Sequence, residues 1–162
     1  MLVEPGDESS LARFALAPPD IVAELAQLRQ EPSCTAGFRF VGRRLREVQN
    51  TMYHHLPEIA ARVPHNAAFL HPDDLARLGV GPGELVRITS AHGQIEAPAE
   101  ADAALRCGVV SMAHGWGGLP GEEGPEPGVN TNLLTSVLVG RDPINAMPVM
   151  NGFPVTVERA GG

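Results

Sequence analysis

The chain lacks lysine altogether, and all twelve of its basic residues are arginine. They are outnumbered by 19 acidic residues, which gives a formal net charge of -7 at pH 7. Nucleic-acid binding needs a basic face that releases counterions from the phosphate backbone. We therefore expect no nucleic-acid partner, although a local group of arginines could still meet a single phosphate group.

Cysteine and long hydrophobic runs are also scarce. Cys34 and Cys107 form no CxxC motif and lie far apart in the sequence, so we expect reduced thiols of a cytoplasmic protein rather than a disulfide or a zinc site. No run approaches the ~18 apolar residues of a membrane span. The acidic start MLVEPGDESS does not have the pattern of a signal peptide. We expect no membrane partner, and whether a parent enzyme is exported stays open.

Motifs of a self-contained active site are missing as well. The sequence contains no GxSxG, no GxxxxGK and no GxGxxG after a strand. Its six histidines show neither an HxxxH spacing nor a cysteine partner at ligand spacing. The adjacent acids Asp73 and Asp74 follow His-Pro at a helix start, where they suit a cap and the helix dipole. We predict no catalytic residue and no metal ligand.

Glycine and proline, by contrast, are abundant, with 18 and 15 residues, while aromatic residues make up only 4%. Frequent turn residues favour short strands over long helices. A length of 162 residues and a hydrophobic content of 43% suit one globular domain with an extended arm. We predict a mainly β protein with short helices, in which residues 1–17 are a disordered leader and residues 18–64 are an N-terminal arm.

The spacing of apolar residues predicts the individual elements. In the arm, Asp20 is expected to cap a helix that ends before Pro32. A second helix is expected to begin at His71-Pro72 and to end at Gly79, which adopts the left-handed conformation at little cost. Short strands with Gly or Pro at each junction predict a small closed barrel over residues 65–159. In this part of the chain the expected strands cover residues 85–90, 95–97, 109–112 and 155–158.

The segment FRFVGRRLREVQNTMYH, residues 38–54, reverses the sign of the local charge, because four arginines precede its first acid. Guanidinium groups suit an anion with several oxygen atoms, and Gly42 lets the backbone come close. Arg43 and Arg44 therefore predict a phosphate or pyrophosphate site. For Arg39 and Arg46 the alternative interpretation is that they are solvated residues whose apolar stems lie on the surface.

A long glycine-rich passage separates the last two expected strands, and a loop of this length in a compact domain is usually functional or disordered. We expect residues 115–132 to be mobile in the chain without ligand. The amides and hydroxyls of the passage suit the edge of a heterocycle. The turn preference of Asn is the alternative explanation for Asn145 and Asn151. The candidate residues are Asn130, Asn132, Thr135, Asn145 and Asn151.

Several segments together resemble a known family in order and spacing: HPDDLARLGVGPGELVRITSAHGQIEAPAEADAALRCGVVSMAHGWGG, then GVNTNLLT, then DPINAMPVMNGFPVTVE. The resemblance is to the C-terminal molybdopterin-dinucleotide-binding domain of the dimethyl sulfoxide reductase-type oxidoreductases, which include formate dehydrogenases and nitrate reductases. FVGRRLREVQNTMYH is similar to the arginine-rich segment that precedes the barrel in that family, with Asn50-Thr51 at its Asn-Ser/Thr position.

The resemblance implies a double-psi β-barrel that covers a bis(guanine dinucleotide) molybdopterin cofactor, bis-MGD, with Mo or W in the complete enzyme. It also implies two groups of cofactor-binding residues, one at the pterin or pyrophosphate and one along the other edge. The first group is Arg43, Arg44, Asn50, Thr51 and His54, with Gly42 beside them, and the second is His114, Trp116, Asn130 and Asn132.

The domains that carry the iron-sulfur cysteines and the metal ligand in that family have no counterpart in this sequence. The expected function is therefore that of a cofactor-binding domain or subunit that is not catalytic alone, similar to a separate barrel subunit of formylmethanofuran dehydrogenases. Its expected partner is the rest of the parent oxidoreductase, and the isolated chain is expected to be monomeric. The alternative is a double-psi barrel that serves protein interaction or substrate recognition. Such a module has no need of Arg43-Arg44 together with Asn130 and Asn132.

Overall fold

A computed structural model of the chain describes residues 17–30, 37–118, 128–142 and 144–161. The predicted disordered leader, residues 1–17, therefore lies outside the described residues except for Ala17. The helices are α1 (Pro19–Leu28), α2 (Pro57–Ala60) and α3 (Pro72–Leu78), and a 3₁₀ turn covers Thr131–Leu134. The strands are β1 (Phe38–Arg43), β2 (Ala68–Leu70), β3 (Leu85–Thr89), β4 (Gln94–Ala101), β5 (Val109–Ala113) and β6 (Phe153–Arg159).

The six strands form a closed barrel in the order β1-β5-β2-β4-β3-β6. β1 pairs with β5 and β2 pairs with β4 in parallel, whereas the other neighbouring strands are antiparallel. Alternate side chains point inward, as Val86 and Ile88 of β3 do, and both are fully buried. The predicted mainly β fold with a closed barrel is confirmed. The barrel begins at Phe38, however, and not at residue 65, because β1 lies inside the segment that was assigned to the arm.

Helix α3 begins after a capping histidine, His71, and ends at a glycine, Gly79. Gly79 ends it in the left-handed conformation with a φ of 65°, as predicted. At the other end, the His71 ring caps the helix, because its Nδ1 accepts the backbone N–H of Asp73 at 3.1 Å. Asp73 and Asp74 lie in the first turn, where they suit the helix dipole. The cap is therefore His71 and not this acidic pair.

The carboxylate of Asp74 instead has a structural role inside the protein. Asp74 is only 3% exposed. One of its oxygens accepts the backbone N–H of Gly108 at 2.7 Å, and the other accepts a hydrogen bond from Arg77 at 2.8 Å. A buried charge needs such partners, and these contacts attach the chain before β5 to α3.

Helix α1 forms where the apolar spacing predicted it, but it begins differently. Its N-cap position is occupied by Pro18, which makes no side-chain capping bond, and Asp20 lies in the first turn. The prediction of Asp20 as the cap was wrong. The first helical position is occupied by Pro19, and proline suits it because its missing N–H is not needed there. In the described residues we find no helix with the length and apolar character needed to span a membrane.

Candidate functional site

A cleft lies at the end of the barrel where β1 and β5 terminate. The two strands are parallel, and Arg43 is paired with Ala113 in their register. Since the carboxyl ends of parallel strands lie at the same edge, the next residues, Arg44 and His114, leave the barrel side by side. This pairing joins the arginine-rich segment to the glycine-rich passage across 70 positions of sequence.

The cleft has a volume of about 430 Å³. Its walls come from β1, β5, the 3₁₀ turn and the chain before β6. None of the described residues that line it is acidic, although the chain carries 19 acids. A cleft with this lining suits an anionic ligand. The lining residues are Phe40, Gly42, Arg43, Arg44, Asn50, Met112, His114, Thr131, Asn132, Thr135, Met150 and Asn151.

Three predicted site residues meet in this cleft. Arg44 donates a hydrogen bond to Asn50 Oδ1, and His114 Nε2 lies 3.0 Å from the same oxygen. Burial and, to a smaller extent, the positive charge of Arg44 lower the pKa of His114. This shift favours the neutral ring, and the contact with the Asn50 carbonyl oxygen suits its Nε2–H tautomer. Arg44 has no carboxylate partner among the described residues, so its charge is available to an anion.

The backbone around Asn50 is held in an unusual conformation. Asn50 has a φ of 55°, in the left-handed region that Asn tolerates better than most residues. Gly115 has a φ of 92°, and a Cβ at this position would lie 2.3 Å from the Asn50 carbonyl oxygen. Only glycine fits there, because both the conformation and the close approach exclude a side chain. Gly115 thus lets the chain after β5 pack directly against Asn50.

Arg43 has a different environment from its neighbour Arg44. Its guanidinium forms an ion pair with Asp102 and lies over the Phe69 ring, 3.9 Å from the centroid. The hydrogen bond from Arg43 is the main reason that the pKa of Asp102 is lowered. Both side chains of the pair are about one-fifth to one-quarter exposed. The structure thus separates two arginines that the sequence analysis had treated as a pair, and only Arg44 presents an unneutralised charge.

Asn66 holds the wall of the cleft that the 3₁₀ turn forms, which we call the far wall, and Asn66 was not among the predicted site residues. Its side chain is 1% exposed and links the end of β5 to the chain that enters the 3₁₀ turn. Nδ2 donates to the carbonyl oxygens of Ala113 and Val129 at 2.8 and 2.9 Å, and Oδ1 accepts the Val129 N–H at 2.9 Å. A single asparagine before an apolar run carries no motif that could have indicated this role.

Three further predicted residues lie outside the lining of the main cleft. Thr51 is exposed. His54 and Trp116 are buried, with ring centroids 5.3 Å apart. Trp116 also borders a narrow recess that it shares with Arg44 and His114. Its indole Nε1 is buried without an acceptor among the described residues, which leaves a donor beside the cleft.

The two predicted asparagines near the 3₁₀ turn have separate roles. Asn130 caps the turn, because its Oδ1 accepts the Asn132 N–H at 3.0 Å and its Nδ2 donates to the Gly118 carbonyl at 3.3 Å. Asn132 lines the cleft. Residues 119–127, the middle of the segment that was expected to be mobile, lie outside the described residues.

Asn145 and Asn151, for which two interpretations were open, also differ. Asn145 Oδ1 accepts the Met147 N–H at 2.9 Å, which confirms its interpretation as a turn former. Asn151 lines the cleft and accepts the backbone N–H of Gly42. Local sequence does not distinguish the two, because the partner of Asn151 lies 109 positions away.

The structure thus shows a closed barrel with a cleft whose described lining contains no acidic residue. Residues 38–154, more than two thirds of the chain, match the family described as "Molydopterin dinucleotide binding domain". The chain belongs to this family. The match supports the predicted cofactor-binding role over the alternative of an interaction or recognition module.

Two relatives illustrate the similarity. Biotin sulfoxide reductase of Cereibacter sphaeroides is 36% identical over 75 residues, which are 46% of this chain and 10% of that protein. The chain thus spans about a tenth of the length of this curated relative. The structure of acetylene hydratase from Pelobacter acetylenicus aligns with a TM-score of 0.65 and 21% identity over 91% of this chain and 21% of the other. This second likeness concerns the fold alone.

Proposed function

We propose that this chain covers one side of a molybdopterin guanine dinucleotide in a larger molybdenum or tungsten oxidoreductase. Arg44 carries the proposal, because no described carboxylate neutralises its charge and the described lining of the cleft contains no acid. A guanidinium suits the pyrophosphate of a dinucleotide. The indole N–H of Trp116, which has no acceptor among the described residues, lies in the narrow recess that Trp116 shares with Arg44.

The charged and the neutral polar residues of the cleft suit different parts of the ligand. Arg44 would hold the phosphate charge, while Asn132, Thr135 and Asn151 offer donors and acceptors to a ring edge. The lowered pKa of His114 favours its neutral ring, which adds no second charge to the cleft. The cofactor would supply the redox chemistry at its metal, and this chain would bind it, orient it and shield it from water.

A segment beside the cleft is suited to contact the rest of the parent enzyme. In residues 137–142 and 144–150, seven apolar side chains are substantially exposed, among them Val137 at 66% and Leu138 at 82%. Exposed apolar patches of this kind mark interaction sites. The segment ends at Met150, which lines the cleft. A partner seated here would also close the cleft, and we propose that it is the remaining catalytic domains or subunit.

Titration with GDP, a guanine nucleotide with a pyrophosphate group, tests the cleft directly. Backbone amide shifts around residues 42–54, 114–118 and 128–135 should respond, and the response should weaken with salt because exposed ionic contacts are screened. The affinity should be poor, since one wall of the site belongs to the partner. Arg44→Ala should cost about 1.5 to 3 kcal/mol of binding, or roughly 10- to 150-fold.

Arg46→Ala is the matched control, because Arg46 is exposed in the same segment and does not line the cleft. It should bind GDP as the wild type does. A wild-type chain without any response at millimolar GDP, or an Arg44→Ala variant with unchanged affinity, would overturn the proposal. Urea unfolding of each variant separates loss of binding from loss of fold.

A further inference from the structure

A second group of ligand-type side chains lies outside the cleft, where α3 begins beside the loop that precedes β5. His71 Nδ1 lies 3.5 Å from Asp73 Oδ2 and 3.4 Å from Cys107 Sγ. The three potential ligand atoms all lie within 4.8 Å of one another. None of the three residues lines the cleft. Their spacing in the sequence does not indicate a site, because His71 and Cys107 are 36 positions apart.

The distances are those of ligands that share one small cation. With zinc bonds of about 2.0 Å to nitrogen or oxygen and 2.3 Å to sulfur, a tetrahedral site places its ligand atoms about 3.3 to 3.6 Å apart. The two distances from His71 fall within this range. The Asp73 side chain is 83% exposed and so has room to rotate toward Cys107 Sγ.

The backbone holds His71 and Cys107 in position. His71 directly follows β2 and caps α3. The residue after Cys107, Gly108, donates its N–H to buried Asp74 at 2.7 Å and accepts the Arg39 N–H at 2.8 Å. These bonds attach the loop both to α3 and to β1. Ligands on such restrained segments lose little freedom when they bind a metal.

We propose that His71, Asp73 and Cys107 form a surface site for a zinc-like divalent cation, with water as the fourth ligand. One nitrogen, one sulfur and one oxygen ligand suit a cation of borderline softness such as Zn²⁺ or Co²⁺. The cation would take the Nδ1 lone pair that accepts the Asp73 N–H in the structure. Binding therefore gives up the capping bond of α3, and the affinity is lower than that of a fully preformed site.

Cobalt is the probe for this site, because a Cys–Co²⁺ bond gives a charge-transfer band in the near ultraviolet. The experiment uses the full chain with Cys34→Ser, so that Cys107 is the only thiol, beside the unsubstituted chain under reducing conditions. We expect one equivalent of Co²⁺ to produce the band and Zn²⁺ to displace it. Cys107→Ser should abolish the band.

His71→Gln and Asp73→Asn should each weaken cobalt binding about 10-fold or more. His92→Gln is the matched control, because His92 is exposed and lies in the turn between β3 and β4. It should leave the titration unchanged. No band in the Cys34→Ser chain overturns the site, and so does a titration that His71→Gln and Asp73→Asn leave unaltered. Since His71 also caps α3, Asp73→Asn decides the outcome if His71→Gln fails to fold.

Discussion

Replacing Asn66 with alanine would remove a side chain that connects the barrel to the far wall of the cleft. Asn66 is 1% exposed and makes three hydrogen bonds to the backbone of Ala113 and Val129. At about 1 kcal/mol for each bond, with no water to replace the lost partner, the expected loss of unfolding free energy is about 3 kcal/mol. The variant should still fold, because the total for a domain is about 5 to 15 kcal/mol.

The same substitution should weaken GDP binding, although Asn66 does not line the cleft. Val129 precedes the 3₁₀ turn that carries Thr131 and Asn132, and this wall loses its attachment to β5. Urea unfolding followed by fluorescence is a suitable assay, since the chain has a single tryptophan, Trp116, which is buried in the segment that follows β5.

Asn145→Ala is the control for this experiment. Asn145 is exposed and its side chain accepts one hydrogen bond within a surface turn. Its removal should change the unfolding free energy by less than about 0.5 kcal/mol. If Asn66→Ala lies within the same limit, the three hydrogen bonds do not hold the wall and the reasoning is refuted.

Two further predictions concern the residues around Asn50. Gly115→Ala should destabilise the chain by about 2 to 4 kcal/mol, because its Cβ would meet the Asn50 carbonyl oxygen at 2.3 Å in a left-handed conformation. Gly140 is the control, since it is also left-handed but a Cβ there would have nothing within 4 Å, so Gly140→Ala should cost less. Equal losses of unfolding free energy in urea would contradict the steric argument. The lowered pKa of His114 means that the unfolded chain takes up this proton at a higher pH than the folded chain, so unfolding free energy should fall as pH drops below about 6.5. His114→Gln should show a smaller fall, and an identical pH profile would contradict the assignment.

The sequence by itself was sufficient wherever a feature depends on neighbouring residues. Gly79 ends α3 because the chain needs a left-handed residue there, and Val86 and Ile88 face the core because side chains alternate along a strand. The arginine-rich segment and the asparagines of the glycine-rich passage were recognised as candidate ligand-binding segments, and the resemblance they carry is confirmed by the family match. Strand β2 was missed, since three residues, Ala68–Leu70, are too few for a periodic pattern.

Only the tertiary structure decided which of these polar residues act together. Arg43 and Arg44 are adjacent in sequence, but consecutive side chains at a strand end point to different sides, and Arg43 meets Asp102 from the end of β4. Asn151 enters the cleft, and Cys107 approaches His71, through contacts between segments far apart in the chain. These partners are set by barrel closure and strand register, which depend on the packing of all six strands at once and leave no local signal in the sequence.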